Sequence, residues 1–372
     1  MKYFFVCLLS FCSIVDSYCQ VIPEKTPEVF FQDSDSGKLS FHLYNTNFFK
    51  NNEYFNNLHE GETLPGTIIE PTMVYHPGGK TRFETGIHLL KFFGQNGFNR
   101  TEPIIRFQYQ PFGYFQMVMG TIYGGSYHGL IEPLYQWENT FSQPLENGLQ
   151  FLFNTPRFKS DTWLNWKKFI QQNDPFQEEL TVGTTLSYKL ISKHSFSLSF
   201  PFQTTVNHHG GQIIENHVPL RTIFNYSTGF SAKWDMENQL IRKIDFQFWL
   251  LGYNDISQTQ LQVYRQGYGI YPKTSISLSN FETQLGFFHG EGFMSSEGEP
   301  LFFSSNIPYN EYFLPTRNMM TCKLIYSKKI QKGISLAAYA EFYKDFKLSN
   351  MDYTYGVHII FDRDFFITHL FL

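Results

Sequence analysis

The sequence predicts an all-β fold: a transmembrane, antiparallel, up-and-down β-barrel of about 16 strands, within a range of about 14 to 18. Three observations predict it. Apolar and polar residues alternate along most of the 372-residue chain. The connections between the predicted strands alternate regularly between long and short along the whole chain. Aromatic residues make up 19% of the chain and charged residues only 17%, below the roughly 25% of an ordinary soluble domain, so the chain needs an apolar environment.

Period-two alternation places successive side chains on opposite faces of a sheet. Between Ser195 and Phe202, for example, four apolar residues fall on one face and three serines on the other. The same pattern recurs from Lys243 to Leu251. Segments of this kind predict strands centred near residues 42, 70, 86, 105, 117, 151, 164, 183, 200, 226, 246, 265, 281, 323, 339 and 356.

The connections carry as much information as the strands. Long ones are predicted near 47–64, 94–100, 124–147, 170–175, 207–218, 253–259 and 290–316. Short ones are predicted between them at 76–80, 110–113, 155–157, 191–194, 235–238, 271–273 and 330–333. A barrel that crosses a membrane has tight turns at one rim and long loops at the other. It must also close, because an unpaired strand edge cannot be accommodated in hydrocarbon.

The N-terminus predicts export. Residues 1–19 read as a cleaved secretory signal, with an apolar run from Tyr3 to Val15 and small residues at Ser17 and Cys19. A lipoprotein signal cut before Cys19 is the alternative. Residues 20–37 then form a periplasmic lead-in, and residues 38–372 form the barrel. Beyond the signal, no window of about 18 apolar residues predicts a helical span, and the mature chain keeps only Cys322, so no disulfide is expected.

In this pattern the sequence resembles the Gram-negative outer-membrane β-barrel proteins, particularly porins, over most of residues 38–372. The resemblance implies location in the cell outer membrane, tight turns in the periplasm, long loops outside, and insertion into the bilayer by the outer-membrane assembly machinery. The chain end departs from the family pattern, since Leu372 replaces the usual final aromatic residue and Phe371 precedes it. Asp362 to Asp364 interrupt the last strand, which leaves a bulge or a seventeenth segment open.

About sixteen strands would enclose an aqueous lumen, so a channel for small polar solutes is the first functional hypothesis. The third long connection, 124–147, matches the inward-folded loop of porins in position and length. His128, Glu132 and Glu138 would then form a pore constriction. An external lid is the alternative for this loop, and a homo-oligomer is compatible with a channel.

No local motif singles out a catalytic residue, and none predicts a cofactor. His208, His209 and His217, with Glu215 nearby, are weak metal-ligand candidates whose spacing matches no standard pattern. The acidic stretch from Gly290 to Glu299 lacks the ligand spacing of a calcium loop. Gly-x-Ser-x-Gly and nucleotide-binding loops are absent. The net charge of -4 and the absence of a basic cluster argue against nucleic-acid binding.

Two other functional classes stay open: a barrel-borne hydrolase acting on lipid or surface glycan, and a surface-interaction barrel without transport. An exported soluble sandwich or propeller is the alternative fold. Trp163, Asn165 and Lys167 share one face of a strand and would guide sugars if that face is luminal, whereas a lipid-facing Trp163 would be an anchor. Several aromatics near predicted strand ends are expected in interfacial girdles, namely Tyr123, Tyr135, Trp137, Trp163, Trp166, Trp234 and Tyr271.

Overall fold

The computed structural model describes residues 31–211, 219–236, 240–306 and 311–370. The predicted signal at 1–19, His217, and the chain end at Phe371 and Leu372 lie outside this part of the chain. Sixteen strands make up most of the described residues: β1 Lys38–Glu53, β2 Thr63–Gly78, β3 Thr81–Phe92, β4 Arg100–Phe112, β5 Phe115–Thr121, β6 Asn147–Asn154, β7 Phe158–Lys168, β8 Glu178–Ser192, β9 Phe196–Gly210, β10 Arg221–Asp235, β11 Lys243–Asp255, β12 Gln266–Ser277, β13 Phe281–Glu291, β14 Thr316–Gln331, β15 Ile334–Asp345 and β16 Asp352–His369.

These strands form one closed antiparallel barrel in which each strand pairs with its neighbours in sequence. The first and last strands, β1 and β16, close the barrel with a register that runs from Lys38 opposite His369 to Glu53 opposite Tyr353. β16 continues without a break through Asp362 to Asp364, so the described chain has no seventeenth strand. The predicted all-β, up-and-down barrel of sixteen strands is confirmed.

Outward and inward faces differ as a membrane barrel requires. On β4, Ile105 faces outward and is 54% exposed, whereas Gln108 faces inward and is fully buried. Large apolar side chains recur on the outer face of the other strands, where the hydrocarbon of a bilayer would cover them. The few helices are short, comprising the 3-10 turns Asp33–Asp35, Gly125–His128 and Pro300–Phe302 and the helix α1, Asn139–Ser142. None of the described helices is long and apolar enough to cross a membrane.

One predicted turn is wrong. The short turn expected at 271–273 lies inside β12, and the chain reverses instead at 278–280, after a loop at 256–265. Pro272 prompted the error, since proline lacks the backbone N–H of a sheet ladder. In the structure Pro272 lies opposite Phe248 of β11, and the pairing of β12 with β13 skips positions 271 and 272. Proline is tolerated where a ladder is interrupted in this way.

Two long connections fold into the lumen. The first, which we call the β5–β6 loop, spans residues 122–146. The second, the β13–β14 loop, is described over residues 292–306 and 311–315. β5 and β6 have only 7 and 8 residues, so the β5–β6 loop leaves the wall part-way along the barrel. The two loops join where Gln136 N donates to Glu297 O at 2.6 Å and Glu299 N donates to Glu132 O at 2.9 Å.

The loops and the inner wall form a packed interior. Leu134 of one loop and Phe293 and Phe302 of the other belong to an apolar cluster that includes Trp249 and Phe288 of the wall. Each of the sixteen strands contributes at least one inward side chain that is less than 5% exposed: Phe48, Ile68, Leu90, Gln108, Val118, Gln150, Trp163, Thr181, Asn207, Asn225, Trp249, Tyr271, Phe288, Met319, Ala337 and His358. At the level of the loops, the lumen is therefore filled like a protein core.

Candidate functional site

The β5–β6 loop is tied to the barrel wall by three ion pairs, and these involve the three residues predicted as a constriction. His128 contacts Asp161 of β7, Glu132 contacts Lys273 of β12, and Glu138 contacts Lys50 of β1. The prediction that this loop folds inward agrees with the structure. The three side chains point to different parts of the wall and do not converge on one another.

His128 lies between two carboxylates and above an indole ring. Its Nδ1 is 2.7 Å from Asp161 Oδ2 and its Nε2 is 3.3 Å from Glu146 Oε2. Gly125, which has a φ of 63°, donates its N–H to the other Glu146 oxygen at 2.6 Å. Burial opposes protonation of His128, but Asp161 and Glu146 outweigh it and raise the pKa of His128 to about 9. At neutral pH the ring is an imidazolium that holds both carboxylates.

Glu138 connects the loop to the seam between β1 and β16. Its Oε1 accepts hydrogen bonds from Lys50 Nζ and, at 2.9 Å, from Asn52 Nδ2. Thr354 of β16 donates to Asn52 Oδ1 at 2.6 Å. Burial alone would raise the pKa of Glu138, but the Lys50 ammonium outweighs burial and holds that pKa below its usual range. The Glu138 side chain is therefore a carboxylate.

A cavity of about 60 Å³ lies between the β5–β6 loop and the wall. Burial and the neighbouring Glu138 carboxylate raise the pKa of Glu299, which lines this cavity, well above its usual range. Lys323 and Glu341, also in the lining, form an ion pair at 2.8 Å. Aromatic side chains complete the lining, namely Tyr54, Tyr135, Trp137, Tyr339 and Tyr343. An adjoining cavity of about 20 Å³ shares Glu132, Lys323, Glu341 and Tyr343 with it.

His59 lies in the connection between β1 and β2, at the end of the barrel where the predicted long loops lie. Its Nε2 is 3.3 Å from Gln136 Nε2 of the β5–β6 loop, and its ring centroid is 5.5 Å from that of Tyr54. Burial lowers the pKa of His59, so the half-buried ring is neutral at pH 7. The sequence reasoning missed His59, because a histidine in a long polar connection has no distinguishing local pattern.

His208 and His209, two of the three proposed metal ligands, are not brought together. His208 faces outward and its Nδ1 is 2.8 Å from Thr222 Oγ1. His209 faces the opposite side of the same strand, with Nε2 3.4 Å from Glu179 Oε1 and 2.6 Å from an Arg221 nitrogen. Adjacent strand residues point to opposite faces, so these two rings cannot share a metal ion. Within the described ranges, no three His, Cys, Asp or Glu side chains are grouped to hold a metal.

The acidic stretch from Gly290 to Glu299, considered above as a calcium loop, anchors the β13–β14 loop to the wall through Glu297. Glu297 Oε1 accepts hydrogen bonds from Lys167 Nζ of β7 and from Thr181 Oγ1 of β8, the latter at 2.7 Å. Another buried anchor is Arg317, whose Nε donates to Asp345 Oδ2 at 2.6 Å and whose Nη1 donates to Phe303 O. The period-two pattern offered a signal for Lys167, which shares a strand face with Trp163 and Asn165. Arg317 and Asp345 lie at strand ends, where a charge indicates no particular face.

The predicted aromatic girdle divides into two groups. Trp166 and Trp234 are outward and exposed, as interfacial anchors would be. Trp163 is only 2% exposed and faces the lumen with Asn165 and Lys167. The anchor interpretation of Trp163 is therefore wrong. Tyr123, Tyr135 and Tyr271 are likewise buried inside, and Trp137 packs against the inner cluster of Phe48, Ile68, Leu90 and Phe141.

Comparison with known proteins identifies the family. A family model described as lipid A 3'-O-deacylase-type matches residues 31–370. The chain belongs to this family. No curated protein matches its sequence. This member of the lipid A 3'-O-deacylase-type family is thus an outer-membrane barrel, as its fold and the sequence pattern both indicate.

Solved structures support the same architecture. A loop L8 deletion mutant of OmpT, an outer membrane protein of Vibrio cholerae, is similar with a TM-score of 0.53 and 7% identity, over 88% of this chain and 100% of that chain. OprD of Pseudomonas aeruginosa is similar with a TM-score of 0.51 and 8% identity, over 92% of this chain and 100% of that chain. At these identities the likeness shows the fold alone. The resemblance to outer-membrane barrels is confirmed.

Proposed function

We propose that this protein is an outer-membrane hydrolase that removes an ester-linked acyl chain from a lipid A-type glycolipid. The family description names this chemistry. The observation that favours a hydrolase over a channel is the packed lumen, to which all sixteen strands contribute inward side chains less than 5% exposed. An open channel of this strand number would leave such side chains in contact with water.

His59 is our candidate general base. The neutral ring can take a proton at pH 7, and Gln136 and Tyr54 fix its orientation. As placed, the Gln136 amide nitrogen donates to Nε2. Exchange of the amide oxygen and nitrogen of Gln136, which are assigned from the hydrogen-bond network, lets Nε2 donate and leaves the lone pair of Nδ1 free to accept a proton. Within the described residues, Nδ1 has no hydrogen-bond partner. In the proposed step, His59 accepts a proton from water as the water oxygen bonds to the acyl carbonyl carbon, the ester C–O bond then breaks, and the proton passes to the departing alkoxide.

The surroundings of His59 suit an acylated substrate. Phe55, four positions before His59, is 53% exposed. On the next long connection, between β3 and β4, Phe93 and Phe98 are also about half exposed. Exposed aromatic side chains at the rim of a membrane barrel lie at the level of the lipid interface. They would contact the acyl chain while its ester group reaches His59.

The test uses the proposed mature chain, residues 20–372, purified in detergent and mixed with lipopolysaccharide. Mass spectrometry should detect a free fatty acid and a lipid A product lighter by that acyl chain. His59→Asn should lower the rate by about 100-fold or more, the usual contribution of a general base. His194→Asn, in an exposed turn at the opposite rim, is the matched control. If the unaltered protein releases no fatty acid, the hydrolase proposal is wrong.

The second candidate function is a channel for small polar solutes, gated by the β5–β6 loop. The observation in its favour is that the loop reaches the wall through charged contacts at His128, Glu132 and Glu138. Breaking these contacts would free the loop and open the lumen to solutes. Planar-bilayer recordings with the same protein test this candidate, because steady conductance steps would support it and a silent bilayer would count against it.

A further inference from the structure

A group of buried polar atoms near the cavity has no hydrogen-bond partner within the described protein. The atoms are both ring nitrogens of His358, the Tyr339 hydroxyl, Trp137 Nε1 and Glu138 Oε2. His358 joins the group, since its ring centroid is 5.4 Å from that of Trp137 and 5.8 Å from that of Tyr339. Each unsatisfied buried polar group costs about 1–3 kcal/mol. A concentration of them in one place points to a non-protein partner.

Two of these side chains line the cavity described above, and the others contact a lining residue or pair with one. Trp137 and Tyr339 line it directly, and so does Lys50, the ion-pair partner of Glu138. His358 itself is 1% exposed and Tyr339 is 7% exposed, so bulk solvent does not reach these side chains. One buried water needs about 10–15 Å³ of such space. The cavity of about 60 Å³ therefore has room for several waters or for one small solute.

The unpartnered atoms define the hydrogen-bonding character of the solute. Trp137 Nε1 can only donate, and the Glu138 carboxylate oxygen can only accept. Tyr339 and a neutral His358 can do both. A molecule that satisfies all of them must carry donors and acceptors side by side, which hydroxyl groups provide. The ring faces of Tyr339 and Trp137 offer apolar surface for the C–H groups between those hydroxyls.

The charges around the cavity cancel. Lys50 pairs with Glu138, Lys273 with Glu132, and Lys323 with Glu341. Glu299 is buried beside the Glu138 carboxylate, and its raised pKa favours its uncharged form. A charged solute would lose its hydration without gaining an unpaired counter-charge. A neutral solute meets no such penalty.

We propose that this cavity binds a small, neutral, hydroxyl-rich molecule of the monosaccharide or cyclic polyol class. The inference depends on the cavity and its unpartnered atoms, and it does not rest on the hydrolase proposal. Binding joins the β5–β6 loop, through Trp137 and Glu138, to β15 and β16, through Tyr339 and His358. The bound molecule would therefore stabilise the loop in its inward position.

The experiment is calorimetric titration of the full mature protein in detergent with glucose, N-acetylglucosamine and myo-inositol, with gluconate as the charged analogue of glucose. Thermal unfolding of the same samples supplies a second readout. Binding of at least one neutral probe, with gluconate binding at least tenfold more weakly, is expected. The neutral probes are tested at concentrations up to about 10 mM, at which binding with a dissociation constant near 1 mM is detectable. The proposal is overturned if no neutral probe gives a heat of binding or a change in Tm.

Two conservative variants identify the site. Tyr339→Phe and Trp137→Phe each remove one unpartnered polar atom and keep an aromatic ring. Each variant should bind the neutral probe about tenfold more weakly. Because the Tyr339 hydroxyl lacks a partner in the free protein, Tyr339→Phe should also unfold at an equal or higher Tm than the parent. Trp137→Phe in addition loses ring contacts with the inner cluster, so its affinity and not its Tm is the readout. Trp166→Phe, on the outer face, is the control and should bind normally. Unchanged affinity in both variants would exclude this cavity, and neither result depends on whether fatty acid is released.

Discussion

The imidazole ring of His128 lies flat against the indole of Trp163, with ring centroids 3.5 Å apart and planes 8° apart. The same imidazole bridges Asp161 and Glu146. One residue of the β5–β6 loop thus supplies a positive charge to two buried carboxylates and a flat face to a wall tryptophan. The energetics of the inward loop should depend strongly on this contact.

His128→Ala should destabilise the barrel by about 3–5 kcal/mol, the usual cost of leaving a buried charge without its partner. Equilibrium unfolding in urea, followed by the loss of compact migration of unheated samples on gels, measures the change. His194→Ala removes an exposed ring at the opposite rim and should change the free energy of unfolding by less than about 0.5 kcal/mol. Equal effects of the two substitutions would contradict a bridging role for His128.

Alkaline pH should weaken the same contact. The pKa of His128 is raised from its ordinary value to about 9 in the folded protein, so the folded state binds the proton more tightly than the unfolded state. The resulting stabilisation is full below about pH 6.5 and is lost as the pH rises through about 9. Tm measured from pH 6 to pH 10 should fall more steeply for the parent protein than for His128→Gln. Parallel curves would disprove this linkage.

Lys50 and Glu138 should show strong energetic coupling. Lys50→Met and Glu138→Gln each leave one buried partner behind and should each cost about 3–5 kcal/mol. The double variant removes both charges and should be more stable than the sum of the two single effects predicts. Urea unfolding of all four proteins gives the coupling energy. Additive effects would mean that the interaction between Lys50 and Glu138 contributes nothing to the free energy of unfolding.

Replacing residues 124–145 by a short Gly-Ser linker should open the barrel. The parent protein, whose lumen is packed by this loop, is expected to give no steady conductance in a planar bilayer. The shortened protein should conduct, because sixteen strands enclose a wide lumen once its filling is reduced. Removing the external connection 93–99 is the matched control and should leave the bilayer silent. Steady conductance by the parent would instead favour the channel candidate.

The hydrolytic rate should be insensitive to pH near neutrality and should fall in acid. Burial holds the pKa of His59 below its ordinary value of 6.5, so the base is already neutral at pH 7. The rate should decline only when the pH drops below that lowered pKa. Fatty-acid release between pH 4 and pH 8 measures the profile. A rate of fatty-acid release that rises several-fold from pH 7 to pH 8 would require a different general base with a higher pKa.

The sequence predicted the strands of the barrel wall better than the arrangement of the side chains and loops inside it. Alternation and loop phase depend on local residue order, which is why sixteen strands could be counted and only the region around Pro272 was misplaced. Alternation cannot tell whether an inward face meets water or another part of the chain, and Trp163 was misjudged for that reason. The inward fold of the β5–β6 loop was one of two alternatives from the sequence, the other being an external lid, and its partners Lys50, Asp161 and Lys273 belong to distant strands. Only the closed register brings them together.

The pairing of β1 with β16 also constrains the order in which the molecule is assembled. Asn51 and Tyr355, which share a hydrogen bond across this seam, are 304 positions apart in sequence. Contacts between such distant positions form slowly, because a long chain must first be brought together. The β5–β6 loop contacts β1 and β16 from inside, and its apolar side chains are packed between the wall and the β13–β14 loop. The interior must therefore assemble before the seam closes or together with it, and a nascent chain that lacks its last strand would expose an aromatic core to the periplasm.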